Sequence, residues 1–143
     1  MQLPTRLETM MPVLKEGLRN GARPKLTDEG TSGTYLMRSK TQVCAIFKPI
    51  DEEQFAPNNP RDFRGKFGDA TFREGVLSGE STVREIAAYL LDHEGFAGVP
   101  QTSLVSINSE YFNSQPQQIE GLAEEIAMLL SKSGDSTGSK NSV

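Results

Sequence analysis

The sequence is short of the residues that would mark a metal protein, a disulfide-stabilised protein or a nucleic-acid binder. Its 143 residues include one cysteine and one histidine. Cys44 has no partner for an internal disulfide, which fits a reducing compartment. Its place in an apolar run reads as a small core or wall residue rather than a redox or metal site. His93 follows Asp92 with no second histidine or cysteine cluster, which argues against a zinc site. Positive charge is also scarce. Fifteen Lys and Arg against nineteen Asp and Glu give a net charge of −4, the wrong sign for a general nucleic-acid face. No apolar run reaches 18 residues, and the N-terminus lacks the basic start and apolar segment of a secretory signal. A soluble cytoplasmic protein with no transmembrane segment is expected, meeting membranes only peripherally or through a partner. There is no internal repeat. The 36% hydrophobic content is low, yet sufficient for one small core.

What is present is centred on residues 30–60, GTSGTYLMRSKTQVCAIFKPIDEEQFAPNNP. Tyr35, Leu36 and Met37 are strand-like, Arg38 to Thr41 supply a polar turn, and Val43 to Phe47 is apolar and partly β-branched. The second strand ends in Lys48, an unfavourable place for an ammonium unless an anion meets it. Thr31, Ser32, Gly33 and Thr34, just upstream, are small enough to bring backbone N–H groups close to a phosphate. The two features together suggest a nucleotide clamp. Pro49 prevents simple continuation of the ladder, and Asp51, Glu52 and Glu53 read as a solvated acidic face. Pro57, Asn58, Asn59 and Pro60 make a stiff turn. Residues 61–73 contain Gly and Arg with little periodicity, which predicts a mobile surface loop. Its basic side chains could touch an anionic substrate or a lipid headgroup, or simply be solvated.

Two helices are predicted in the flanks. Leu7, Met10, Met11, Leu14 and Leu18 form one apolar stripe, read as core with partner docking as the alternative. Pro12 predicts a break or a helix start near Met11, Gly17 weakens the helix, and Asn20 and Gly21 stop it. Ser81 or Thr82 caps a second helix running through His93, with Val83, Ile86, Ala87, Leu90 and Leu91 as its apolar face. Glu85 falls nearly opposite that face, beside Ala88 and Tyr89. Periodicity alone makes it a cap or a solvent residue. Pairing with Lys48 requires the Ala88–Tyr89 side to face the cleft. Residues 102–107 alternate like a third strand, and Tyr111 and Phe112 are placed to close the sheet.

The segments SGTYLM, AIFKPIDEEQFAPNNP and GESTVREIAAYLLDHEGFAGVPQTSLV resemble the amino-terminal lobe of type II-like phosphatidylinositol 4-kinases. The nearer likeness is to the plant-type gamma branch, which carries a PI3/PI4-kinase catalytic domain. The match runs in order over residues 11–107. It implies an α+β, kinase-like N-lobe: a small antiparallel sheet with a flanking helix, plus N-terminal and C-terminal helices. The corresponding division is a helical segment over 1–24, an ATP-binding N-lobe over 25–114, an amphipathic helix over 115–130 and a disordered tail over 131–143.

By position, the resemblance puts Ser32, Gly33 and Thr34 in the phosphate-covering loop and makes Lys48 the lysine that holds the ATP phosphates. Glu85, in REIAAY, becomes the helix carboxylate that steadies Lys48, which overrules the periodicity reading. Ile46, on the strand face of Lys48, walls the adenine pocket. The implied function is transfer of the ATP γ-phosphate to the 4-hydroxyl of phosphatidylinositol in the complete enzyme, with magnesium expected only there. The NTDR-like catalytic loop and the later metal-binding aspartate of the family do not occur in these residues. No catalytic or metal residue is therefore named, and the chain by itself is expected to bind ATP weakly without turnover. Alternatives are a non-catalytic binding or scaffold module, a pseudokinase that docks a protein partner on the exposed lobe face, and a protein Ser/Thr kinase of the same family.

Overall fold

The structure, a computed structural model, describes residues 4–40 and 42–112. The predicted helix over 115–130 and tail over 131–143 lie outside them. The described fold is α+β: helix α1 (Thr5–Arg19), strands β1 (Lys25–Leu26), β2 (Tyr35–Arg38) and β3 (Val43–Phe47), then helix α2 (Ser81–Leu91). The three strands form one antiparallel sheet in the order β1-β2-β3.

Helix α1 runs unbroken through Pro12, where a break or a start was expected. A proline removes one i→i−4 bond and crowds the preceding turn. The stripe it interrupts still packs as a unit, with Leu14 buried and Met10 and Leu18 against the sheet. The helix ends in a Schellman turn, with the Gly21 N–H on the Leu18 carbonyl at 3.2 Å and that of Ala22 on Gly17 at 2.8 Å. Gly21 takes φ +82°, a conformation that favours glycine there. Gly17 does more than weaken the helix. A Cβ at this position would lie 2.8 Å from the Arg38 carbonyl oxygen, so glycine lets α1 approach the end of β2.

In the β2–β3 ladder Tyr35 faces Phe47, Leu36 faces Ile46 and Met37 faces Ala45, with an irregularity between Met37 and Arg38. One face of the sheet carries the core of Leu14, Tyr35, Met37 and Phe112, bordered by Leu26, Cys44, Ala45, Phe47 and Ile107. Cys44 thus takes the wall position its composition suggested. The Phe112 ring stacks edge-on against Tyr35 at 5.0 Å and meets Phe47 at 4.9 Å. Residues 102–107 alternate in exposure as a strand would but join no ladder among the described residues. Period two reports alternate burial, and Ile107 and Phe112 achieve it by lying over the sheet instead of extending it.

The acidic run differs most from expectation. Asp51, Glu52 and Glu53 are 4%, 0% and 4% exposed, so they form no solvated face. A 3-10 turn over Ile50–Glu52 tucks them under the neighbouring loops, where each finds donors. The Asn58 amide donates to Asp51 at 3.0 Å, and the Tyr35 hydroxyl to Glu52 at 2.6 Å. Burial, then the hydrogen bond to Glu52, raises the Tyr35 phenol well above its ordinary value, so it remains a donor. The buried Asn59 amide donates to the carbonyls of Thr31, Glu52 and Glu53, while its oxygen accepts the N–H groups of Arg61 and Phe63.

Residues 61–73 are likewise tied down. Arg61 donates to the carbonyls of Thr27 and Ser32, and Phe55, Phe63 and Phe72 meet edge-to-face with centroids 5.3–6.2 Å apart. The basic loop expected to be mobile is an anchored one.

Candidate functional site

Lys48 follows β3 directly, and the strand's alternation turns its side chain, like that of Ile46, away from the core face. Its ammonium forms an ion pair with Glu85 on α2. The two side chains are 45% and 48% exposed. A pair this open adds on the order of 0–1 kcal/mol to stability. Its consequence is geometric: it holds a cation over the middle of α2.

The orientation of α2 that allows this pairing is set by Glu53. Its carboxylate accepts the N–H of Gly79 at 2.9 Å, of Ser81 at 3.2 Å and of Thr82 at 2.8 Å, and the Thr82 hydroxyl at 2.8 Å. Neither Ser81 nor Thr82 acts as the N-cap, which is Glu80 with no side-chain bond to the helix-start N–H groups, and Glu85 closes no capping box. A buried acid from a distant loop satisfies the free donors at the start of the helix and meets its positive end. Sequence reasoning missed Glu53 because the signal for capping is local, whereas this carboxylate comes from 26–29 residues upstream.

A hollow of about 370 Å³ opens beside the ion pair. It is lined by Thr31 and Ser32, by Ser81, Arg84, Glu85 and Ala88 of α2, and by Thr71, Arg73 and Val99 among others. Ala88 thus lines the hollow together with Glu85, whereas Tyr89, the other half of the side expected to face the cleft, does not. Of the residues assigned to ATP, Ser32 and Glu85 line this hollow, and Lys48 stands outside its lining, paired with Glu85. Gly33, Thr34 and Ile46 do not line it. Gly33 is buried, its N–H bound to the Glu52 carbonyl at 2.8 Å, and a Cβ there would lie 2.7 Å from the Glu52 Cβ. The glycine is required by close approach to the acidic turn. Thr34 bonds through its carbonyl to the Thr27 N–H at 2.9 Å, and Ile46 stands 63% exposed on the open sheet face.

No group of three His, Cys, Asp or Glu that could hold a metal ion occurs among the described residues, and no described helix is long and apolar enough to cross a membrane. The side chains present suit an anionic ligand held by Lys48. Among the described residues they form no carboxylate cluster for a magnesium ion.

No family model matches the chain, and no solved structure matches it. Among curated proteins, phosphatidylinositol 4-kinase gamma 2 of Arabidopsis thaliana is 38% identical over 126 residues, 78% of this chain and 23% of the relative. Phosphatidylinositol 4-kinase gamma 6 of the same plant is 46% identical over 100 residues, 68% of this chain and 16% of the relative. Phosphatidylinositol 4-kinase gamma 4 is 33% identical over 147 residues, 93% of this chain and 26% of the relative. The chain spans about a quarter or less of the length of these relatives. The chain is therefore similar, over 68–93% of its own length, to one segment of the plant proteins named phosphatidylinositol 4-kinase gamma.

Proposed function

We propose that this chain is the ATP-phosphate-binding part of a phosphotransferase of the phosphatidylinositol 4-kinase gamma family, with the fold of a kinase N-lobe. The observation that carries the reading is the Lys48–Glu85 pair beside the hollow. In phosphoryl transfer most of the protein's work is positioning and charge neutralisation. An ammonium held by a helix carboxylate can meet phosphate oxygens without being drawn into the core. Ser32 offers a hydroxyl from the lining of the hollow, and Ile46, exposed on the same sheet face as Lys48, offers an apolar surface to the base. When bound, ATP supplies the transferable γ-phosphoryl group. The chain's own residues bind and orient its phosphates. In this reading phosphatidylinositol is the acceptor in the complete enzyme, which the names of the relatives support, and the magnesium and catalytic groups of that reaction belong to the complete enzyme as well.

Calorimetric titration tests this directly. Affinity should fall from ATP through ADP to AMP and drop about tenfold or more in Lys48→Ala, since each bond to a charged group is worth about 1.5–3 kcal/mol. Equal binding of ATP and AMP, or ATP binding indifferent to Lys48, would overturn the assignment.

A second reading, a docking module for a protein partner, draws on one feature. Leu90, Leu91 and Phe96 at the far end of α2 are 56%, 72% and 96% exposed. A chain that stays monomeric at high concentration and responds to ATP favours the first reading over this one.

A further inference from the structure

The hollow contains a cation that the nucleotide reading leaves unused. Arg84 is committed, with Nη2 3.7 Å from Glu80 and 3.4 Å from the Gly75 carbonyl. Glu85 is committed to Lys48. The guanidinium of Arg73 has no ion pair or hydrogen bond among the described residues. The backbone around it is nevertheless held in place. The Ala70–Leu77 bridge closes a short hairpin around it, the Thr71 N–H bonds to the Val76 carbonyl at 3.1 Å, and the Thr71 hydroxyl bonds to the same carbonyl at 2.8 Å. Gln54 accepts the Phe72 N–H at 2.8 Å, and the Phe72 ring packs against Phe55 and Phe63. The backbone that carries Arg73 is thus anchored to the buried acidic turn while its side chain is left open.

Apart from Glu85, whose carboxylate is paired with Lys48, the rest of the lining supplies hydroxyl donors. The hydroxyls of Thr31 and Ser81 make no hydrogen bond among the described residues. Ser32 Oγ accepts from the Gln54 N–H at 3.2 Å and keeps its own proton to donate. The positive end of α2 cannot be the attraction, because Glu53 already closes it. What remains is a forked, permanently charged group facing hydroxyl donors across a hollow of about 370 Å³, roomier than a lone side-chain carboxylate needs.

From this arrangement we infer that the hollow is a phosphate-binding site in which Arg73, with Thr31, Ser32 and Ser81, grips a polyphosphate beside Lys48. As the terminal phosphates of ATP, this ligand deepens the proposed function and rests on it. As a phosphate monoester on a lipid headgroup, the same chemistry would come from a membrane.

Titration of sodium tripolyphosphate into the whole chain separates these sources, using wild type, Arg73→Ala and Arg73→Lys, with ATP and Lys48→Ala in parallel. Arg73→Ala should weaken tripolyphosphate about tenfold, Arg73→Lys should recover part of the loss, and added salt should weaken binding. If tripolyphosphate depends on Arg73 while ATP ignores Lys48, the phosphate site stands and the nucleotide reading falls. If ATP depends on Lys48 while tripolyphosphate binds wild type and Arg73→Ala alike, the Arg73 inference falls alone. Phosphatidylcholine vesicles carrying phosphatidic acid provide the lipid arm, and Arg73-dependent pelleting would support the site with a headgroup as its source. Failure of both tripolyphosphate and vesicles to bind through Arg73 would overturn it.

Discussion

Glu53 and Glu85 are two carboxylates set against the same helix, one 4% exposed and the other with nearly half its side chain in water. Glu53 accepts bonds from Gly79, Ser81 and Thr82 and orients α2. Glu85 holds a single ammonium. The buried acid cannot be removed without leaving helix-start donors unsatisfied, whereas the open pair contributes little to folding. In the proposed reading stability and binding are therefore carried by different residues, although both sets lie within the segments that carry the family resemblance. Substitutions at four positions sharpen the contrast.

Glu53→Ala should have the largest effect, about 3 kcal/mol lost in urea unfolding, because buried charge-assisted bonds and a helix cap disappear together. Glu53→Gln should lose less. A Glu53→Ala protein as stable as wild type would erase the distinction between the two acids.

Tyr35→Phe comes next, at about 1–2 kcal/mol near neutral pH, from the lost bond to Glu52. The Tyr35 phenol titrates above its ordinary value of 10.0 in the folded state. Its contribution is therefore full below about pH 10 and is lost as pH rises towards the folded value. The stability difference between wild type and Tyr35→Phe should shrink above pH 10.

Asp92→Asn should have a small effect. Asp92 accepts the N–H groups of Ala97 at 2.7 Å and Val99 at 2.8 Å, and these bonds hold its carboxyl below the ordinary value of 3.8. The stabilisation is present above that ordinary value and is lost as pH falls through the depressed one. The difference between wild type and Asp92→Asn should therefore persist at neutral pH and close in acid.

Much of this was legible in the sequence. The stripe from Met10 to Leu18, the β2–β3 pair and the body of α2 follow from periodicity and turn residues, although α2 is capped by Glu80 rather than Ser81 or Thr82 and ends at Leu91 instead of running through His93. The Lys48–Glu85 pairing followed from resemblance alone, since Glu85 lies off the apolar face of its helix and periodicity assigns it to solvent. The acidic run was misread for a physical reason. Whether Asp51, Glu52 and Glu53 are solvated depends on donors at Asn58, Tyr35 and Thr82, and for Glu52 and Glu53 these lie 17–29 residues away in the chain. Gly17 and Gly33 raise the same difficulty. Their need for no side chain comes from Arg38 and Glu52, which local propensity cannot register. Arg73 read as one basic residue of a loop, and only the hairpin beneath it makes it a candidate ligand.

The most direct test is Lys48→Ala, unfolded by urea with and without saturating ATP. The division between a structural acid and an open ion pair predicts a midpoint without ATP within about 1 kcal/mol of wild type, and loss of the stabilisation that ATP gives wild type. A Lys48→Ala protein that unfolds far more easily, or that ATP still stabilises as it does wild type, would contradict it.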